Sequence, residues 1–163
     1  MYFIYTFVLT LGLALALPYY LVRFRKYFPT LANRLGFLKI PQLTRSIWVH
    51  AVSVGEVRAV ETLLERLRQQ FPSKLLVVST TTPAGQQLAQ VRSDIVDHTF
   101  YFPLDLPWCV KRVIHRVDPE MVIIAETEIW PNFLRACRAH HARVVMINGR
   151  ISDRSFSRYR VAR

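Results

Sequence analysis

Short apolar runs alternate with segments of helical periodicity from residue 46 onward, and this alternation limits the folds open to the chain. The runs predict strands at 47–52, 75–79, 98–102, 121–125 and 144–147. After the first run, apolar residues recur at helical spacing at Val57, Val60 and Leu64. Strands joined by single helices and short loops form parallel sheets through right-handed crossovers. The sequence therefore predicts an α/β fold, with a mainly parallel, doubly wound sheet covered by helices on both faces.

Polar residues follow each predicted strand at its carboxyl end, where open sheets of this type bind ligands. The groups are Ser53-Val54-Gly55-Glu56, Thr80-Thr81-Thr82, Pro103-Leu104-Asp105, Glu126-Thr127-Glu128 and Asn148-Gly149-Arg150. Turn and capping roles explain the threonines and Asp105 well. They explain Glu126 and Glu128 poorly, because these two carboxylates follow a strand that we expect to be buried. The pattern therefore predicts that Glu126 and Glu128 lie close to Glu56 at one edge of the sheet.

Glu56 lies at the start of the first predicted helix, directly after a strand and a tight turn. The positive end of the helix dipole favours an ionised carboxylate at this position. An ionised Glu56 is able to accept a proton, so it is a candidate catalytic base. It is also suited to cap the helix, and residue chemistry alone favours the cap because acidic residues are common in first turns.

The N-terminal residues combine an apolar stretch with a cationic segment. The chain has a net charge of +11, yet no Asp or Glu precedes Glu56. Residues 2–22 carry no charge and are numerous enough to cross a bilayer as a helix. Arg23, Arg25 and Lys26 follow immediately, which retains the downstream side in the cytoplasm. This pattern predicts an uncleaved transmembrane anchor, in preference to a cleaved signal peptide or a buried core helix.

Residues 23–45 mix dispersed cations with aromatic and aliphatic side chains. A helix here would place Tyr27, Leu31 and Leu35 on one stripe and leave Arg34 able to reach lipid phosphates. A helix that packs on the rest of the protein with solvated charges is an equal alternative. Nucleic acid is a disfavoured partner because the cations cluster beside the predicted anchor.

Several common catalytic and binding motifs are absent from the sequence. It contains no GxGxxG, no GxxxxGK[ST] and no GxSxG, and its five histidines lack the spacing of metal ligands. No metal or other cofactor is therefore expected. His50 lies within a predicted strand and is interpreted as a satisfied, partly buried side chain. Cys109 and Cys137 are isolated, so no disulfide is expected.

Five ordered motifs make the chain resemble the 3-deoxy-D-manno-octulosonic acid (Kdo) transferases of lipopolysaccharide synthesis. The matching residues are W-V-H-A-V-S-V-G-E-V (48–57), S-T-T-T-P-A-G (79–85), Y-F-P-L-D-L-P (101–107), E-T-E-I-W-P-N (126–132) and N-G-R-I-S-D-R-S (148–155). The resemblance extends over most of residues 23–160. One departure is Gly149, where the family more often has Ala.

The resemblance implies a membrane-associated glycosyltransferase of the GT-B type, built from two Rossmann-like domains. Such an enzyme transfers Kdo from CMP-Kdo to the lipid A precursor, lipid IVA, with inversion and without a metal. The Glu of the S-V-G-E motif is the family's catalytic base, which assigns that role to Glu56. The positions expected to bind the acceptor are Arg34, Gly36, Ser53, Gly55, Thr80, Thr81, Thr82, Glu126, Glu128, Asn148 and Arg150.

The expected domain organisation has three parts. These are a membrane anchor at 1–22, a basic juxtamembrane segment at 23–45 and a Rossmann-like acceptor domain at 46–163, cut at its C-terminal end. Family members are much longer, so the donor-binding domain would be missing and this chain alone is expected to be inactive. The expected partners are the lipid A precursor, CMP-Kdo and the anionic surface of the cell inner membrane, without nucleic acid. The alternative is a membrane-tethered lipid-binding domain that performs no chemistry.

Overall fold

Helices and strands alternate strictly from residue 46 in the computed structural model, which describes residues 2–23 and 28–149. The helices are α1 (Tyr2–Arg23), α2 (Phe28–Arg34), α3 (Val54–Gln70), α4 (Pro83–Val91), α5 (Pro107–Val117) and α6 (Pro131–Ala139). The strands are β1 (Ser46–His50), β2 (Leu76–Thr80), β3 (His98–Tyr101), β4 (Pro119–Ala125) and β5 (Arg143–Ile147). All five predicted strands are therefore confirmed, and one helix separates each from the next.

The strands form one parallel sheet in the order β3-β2-β1-β4-β5. The first strand in the sequence, β1, lies at the centre of the sheet. Strands β2 and β3 lie on one side of it, and β4 and β5 lie on the other. The strand order therefore reverses between β1 and β4, and sheets of this type have a crevice beyond the carboxyl ends of the strands at such a reversal. The predicted doubly wound α/β fold is confirmed.

Two hydrophobic layers cover the sheet, because successive side chains of a strand point to opposite faces. Trp48 of β1 packs on the α5 and α6 side, with its ring centroid 5.2 Å from that of Phe100 and 5.0 Å from that of Phe133. Val49, the next residue, packs on the opposite face against residues of α3 such as Val57. The sheet is thus covered on both faces at β1, whereas the edge strand β5 is largely exposed.

The segment after α2 packs against α5 through a glycine. Gly36 has a φ of +86°, and a β-carbon there would lie 2.8 Å from the backbone oxygen of Cys109. The centre of the neighbouring Phe37 ring lies 4.2 Å from the guanidinium carbon of Arg112, which belongs to α5. Glycine is therefore the residue that permits this close approach.

Helix α1 confirms that the uncharged N-terminal stretch is helical, but it does not confirm the predicted membrane span. Within residues 2–23 and 28–149, no helix combines the length and the apolar character of a membrane-crossing segment. The first turns of α1 instead contact the body, where the Thr6 hydroxyl lies 3.2 Å from Oδ1 of Asn132.

We expect Gly36→Ala to lower the free energy of unfolding by about 1–3 kcal/mol, because alanine is strained at this φ and its β-carbon collides with the Cys109 carbonyl. Gly55→Ala is the matched control. Its β-carbon would meet only the Ser53 hydroxyl, 3.9 Å away, and alanine is favoured over glycine in a helix. Urea unfolding of both variants measures the difference, and equal stabilities would contradict this account of Gly36.

Candidate functional site

The crevice between β1 and β4 brings together polar residues that are distant in the sequence. The loop after β1 leads into α3 with Glu56 in its first turn, and the loop after β4 carries Glu126 and Glu128. The loop after β2 carries the threonines, and Asn148 follows β5 at the edge of the sheet. Because all five strands are parallel, their carboxyl ends meet at this one edge.

Glu56 caps the N-terminus of α3 through its carboxylate. The backbone N–H of Val52 donates to Oε2 at 2.8 Å, and the Ser53 hydroxyl donates to Oε1 at 3.1 Å. Ser53 is the N-cap residue in extended backbone conformation, so its hydroxyl is used to hold Glu56. An ionised carboxylate has about four lone-pair sites. The half-buried Glu56 therefore serves as a cap and keeps hydrogen-bonding capacity for a ligand.

The threonines after β2 hold the loops of the crevice together. The backbone N–H groups of Thr81 and Thr82 both donate to the carbonyl of Val52, at 3.0 and 3.1 Å. Thr82 also caps α4, since its hydroxyl accepts from Gly85 N–H at 3.1 Å. Thr80 is fully buried, and its hydroxyl contacts the Gln86 amide at 2.8 Å. The capping role that the sequence predicted is therefore confirmed for Thr82, whereas Thr80 is the last residue of β2.

Glu126 and Asn148 lie side by side at the ends of β4 and β5. Both adopt left-handed backbone conformations, with φ of 63° and 51°. The backbone N–H of Glu126 donates to the carbonyl of Ile147 at 2.9 Å, and its Oε1 lies 3.5 Å from Nδ2 of Asn148. Such conformations are uncommon outside glycine and concentrate at functional sites. Glu126 and Asn148 thus lie next to each other at the carboxyl edge of the sheet.

The pKa of Glu128 is affected by the other two carboxylates of the crevice. Burial raises the pKa of Glu128, and the negative charges of Glu56 and Glu126 raise it further. The indole N–H of Trp130, which donates to Oε2 at 2.9 Å, opposes this rise by stabilising the carboxylate. The three acidic residues that the sequence placed near one another therefore interact electrostatically in the folded protein.

Asp105 organises the start of α6, next to the loop of Glu128. Its carboxylate accepts from the backbone N–H groups of Asn132, at 3.1 Å, and Phe133, at 2.8 Å. Its backbone carbonyl accepts from the side chain of Asn132 at 2.6 Å. The Tyr5 hydroxyl of α1 also bonds to the carboxylate, so Asp105 joins α1, the loop after β3 and α6. Burial raises the pKa of Asp105, and these donors oppose the rise.

His50 differs from its sequence interpretation as a partly buried, satisfied side chain. It is 1% exposed and stacks on Phe102 with a centroid separation of 4.0 Å. Nδ1 lies 2.9 Å from the Ser79 hydroxyl, but Nε2 has no hydrogen-bond partner among the described residues. Burial lowers the pKa of His50 to about 4, although the Ser79 carbonyl opposes this by favouring the charged form. The imidazole is therefore neutral at physiological pH.

The remaining predicted site residues occupy different places. Arg34 reaches the loop after β2, where its guanidinium donates to the Thr81 carbonyl at 2.5 Å and lies 5.1 Å from the centre of the Tyr101 ring. Gly55 is exposed at the start of α3, whereas Gly36 is buried against α5. Arg150 lies outside the described residues.

Sequence reasoning missed Trp130 and Asn132 as residues of this edge, although both lie in the E-T-E-I-W-P-N motif. Trp130 holds Glu128, and Asn132 joins Asp105 to Thr6. Pro131 between them marks the helix start and was the available signal. In residues 2–23 and 28–149, no group of three or more His, Cys, Asp or Glu side chains is arranged to hold a metal ion.

The sequence of the chain matches one enzyme family over most of its length. Residues 29–163 match the family described as "3-Deoxy-D-manno-octulosonic-acid transferase (kdotransferase)". A 3-deoxy-D-manno-octulosonic acid transferase of Haemophilus influenzae is 37% identical over 141 residues, which is 85% of this chain and 33% of the relative. The corresponding enzyme of Chlamydia pneumoniae is 33% identical over 162 residues, or 96% of this chain and 37% of the relative.

A bifunctional glycosyltransferase/methyltransferase of Fusobacterium nucleatum is 33% identical over 116 residues, which is 70% of this chain and 18% of that protein. The chain thus spans about a third of the length of the two curated transferases that it matches.

We expect Glu56→Gln to lower the pKa of Glu128, because it removes one of the negative charges that raise it. Carbon-13 NMR titration of the side-chain carboxyl groups measures the pKa directly. Glu61→Gln is the matched control: Glu61 lies on the same helix but pairs with Arg92, at 3.2 Å. An unchanged Glu128 pKa in the Glu56 variant would mean that the two carboxylates are not neighbours.

Proposed function

Since the chain belongs to the 3-deoxy-D-manno-octulosonic acid transferase family, we propose that it forms the acceptor-binding part of a glycosyltransferase of lipopolysaccharide synthesis. The proposed reaction transfers Kdo from CMP-Kdo to lipid IVA with inversion. The observation that carries the proposal is the group of acidic residues at the reversal of the sheet, where the negative charges of Glu56 and Glu126 both act on Glu128. This is the position at which sheets of this topology bind their ligands.

Glu56 is proposed as the general base. An acceptor hydroxyl would donate its proton to this carboxylate as the hydroxyl oxygen attacks the anomeric carbon of Kdo, and CMP would leave from the opposite face. The Val52 N–H and the Ser53 hydroxyl fix the carboxylate in place, so little reorganisation is needed when the proton moves.

The surroundings of Glu56 support binding of a polar acceptor beside it. Gly55 is exposed, and the space where its side chain would lie is open apart from the Ser53 hydroxyl. The backbone at the start of α3 is therefore accessible to a sugar. Asn148 and Glu126 border the other side of the crevice and offer hydrogen-bonding groups. Arg34, at the loop after β2, is proposed to contact an anionic group of the acceptor.

The raised pKa of Glu128 suggests a role different from that of Glu56. A carboxyl group that holds its proton more tightly can donate a hydrogen bond to an acceptor oxygen. We assign Glu128 and Glu126 to acceptor positioning, because Trp130 and Asn148 respectively hold their side chains. The division gives the three neighbouring carboxylates distinct tasks.

The donor is proposed to bind mainly through sequence that lies beyond this chain in the longer relatives. The chain matches about a third of the Haemophilus influenzae enzyme, so the crevice would be one wall of a two-domain active site.

The body is proposed to act on the cytoplasmic side of the inner membrane, where the cations that follow α1 suit an anionic leaflet. The second candidate is an anionic-lipid-binding domain without catalysis, which the net charge of +11 favours.

We expect Glu56→Gln, in a protein of the relatives' length that contains this sequence, to lower turnover by about 10²–10⁴-fold. The glutamine oxygen can still accept from Val52 N–H, so the melting temperature should change little, whereas a lost cap costs about 1 kcal/mol. Glu61→Gln serves as the control on the same helix and should keep normal turnover. Near-normal turnover of the Glu56 variant with a lowered melting temperature would leave Glu56 with a structural role only.

A polypeptide of these 163 residues should yield no Kdo-lipid from CMP-Kdo and lipid IVA, because it matches only 33% of the Haemophilus influenzae enzyme and the donor is proposed to bind outside that part. Mass spectrometry of the lipid product tests this, with the longer protein as the positive control. Transfer by the short chain would overturn the two-domain division. A longer protein that binds lipid but transfers no Kdo would favour the non-catalytic alternative.

A further inference from the structure

Helices α5 and α6 expose cations and no carboxylates. Both pack on the Trp48 side of the sheet, and neither contains an Asp or Glu. Their lysine and arginine residues are all exposed, and together they form a surface that we call the basic face: Lys111, Arg112, Arg116, Arg135 and Arg138. In the part of the chain that the structure describes, none of them pairs with a carboxylate. Arg112 and Arg116 lie four residues apart, a spacing at which like charges destabilise a helix. The arrangement thus favours a role in binding over a role in stability.

The helices on the other side of the sheet have a charge-balanced surface. Glu61 and Glu65 of α3 both pair with Arg92, which follows α4, at 3.2 and 2.9 Å. Arg68 of α3 pairs with Asp97. The accumulation of unpaired cations is therefore a property of one face of the body, and the net charge of +11 does not by itself explain it.

The acidic residues nearest to the basic face in the sequence already have partners. Asp105 is buried and accepts from two backbone N–H groups at the start of α6. Asp118 lies 2.8 Å from Nε2 of His140, and Glu120 pairs with Lys74 at 2.7 Å. The described residues therefore supply no negative charge to compensate the basic face.

The cations border a groove between the two helices. Lys111 and His115 of α5 line it together with Arg135 of α6 and His140, and its volume is about 460 Å³. Helix α5 has 11 residues and is therefore roughly 16 Å long at about 1.5 Å per residue. A groove of this length matches about three turns of a second helix, whereas the flat surface of a bilayer does not enter it.

Two exposed aromatic rings hold one cation of the basic face in place. The guanidinium carbon of Arg112 lies 4.2 Å from the centre of the Phe37 ring and 5.6 Å from that of Trp108. Phe37 is 54% exposed and Trp108 is 49% exposed. Trp and Arg are the residues that most often dominate the binding energy of protein–protein interfaces. An arginine already ordered by stacking loses little further freedom when it binds a carboxylate.

We infer that the basic face is a docking surface for an acidic, amphipathic segment of a partner protein. Carboxylates of the segment would pair with the cations on both sides of the groove, and an apolar side chain of the segment would pack on Trp108. Pairing with Arg is favoured because a guanidinium binds a carboxylate through two parallel hydrogen bonds. The surface lies on the helices rather than at the strand ends, so the inference goes beyond the proposed function and requires neither Kdo nor lipid.

Fluorescence anisotropy of a labelled peptide tests the inference with the 163-residue chain itself in detergent micelles. The probe is an amphipathic helical peptide of about eleven residues, the length of α5, with Glu on its polar side and Leu on the other. It should bind with an affinity that falls as salt is added, because exposed charges are screened. The same peptide with Gln in place of Glu should not bind, and equal binding of the two peptides would overturn the inference.

A pair of charge variants locates the binding surface. Lys111→Gln combined with Arg135→Gln should weaken binding of the acidic peptide by about fivefold or more, since it removes two exposed ion pairs. Arg58→Gln combined with Arg66→Gln is the matched control, because it removes the same charge from two exposed positions of α3 and should bind the peptide nearly as well as the unaltered chain. Equal affinities of the two double variants would mean that binding follows net charge alone, which would overturn the inference.

Phosphate-bearing partners are the competing outcome of the same experiment. Binding of phosphatidylglycerol vesicles and of single-stranded DNA is measured with the two double variants. Both should bind these partners equally well. If the Lys111 and Arg135 variant alone lost vesicle or DNA binding by the same factor as peptide binding, the basic face would recognise lipid or nucleic-acid phosphates, and the assignment to an acidic protein segment would be wrong.

Discussion

The pairing of β1 with both β2 and β4 is the interaction on which the rest of the structure depends. As the central strand, β1 has its backbone hydrogen-bonded on both edges. Its side chains also contribute to both hydrophobic layers, Trp48 to one and Val49 to the other. Because β1 runs parallel to both of its neighbours, the chain leaves it at the carboxyl edge of the sheet. The turn at Ser53 and the start of α3 therefore lie at the crevice, and Glu56 lies there with them.

The same atoms stabilise the fold and form the candidate site. The Glu56 carboxylate closes the first turn of α3 through Val52 and Ser53, and the Val52 carbonyl in turn holds the loop of Thr81. A cap and a base are not competing assignments for such a carboxylate, because capping uses only part of its hydrogen-bonding capacity. Measurements of stability and of rate are consequently both needed to distinguish a structural role of this residue from the proposed catalytic one.

Patterns within short windows could be predicted from the sequence, whereas contacts between distant segments could not. Apolar runs located every strand, and Pro131 located the start of α6, because strand and helix starts depend on neighbouring residues. The attachment of Thr6 to Asn132 joins residues 126 positions apart, so no pattern within the N-terminal stretch indicated it. The complete burial of His50 likewise depends on Phe102 stacking on it from another strand.

The strand order also determines which pairing closes the longest loop. β2 pairs with β1, β3 with β2, and β5 with β4, each after a single intervening helix. β4 must instead return to β1 after two further strands and three helices have been made, and near this seam the Ser46 hydroxyl donates to the Val117 carbonyl 71 residues away. Loop-closure entropy grows with the length of chain enclosed. Joining the two halves of the sheet therefore costs the most chain entropy of any strand pairing among the described residues, and that seam is where the crevice opens.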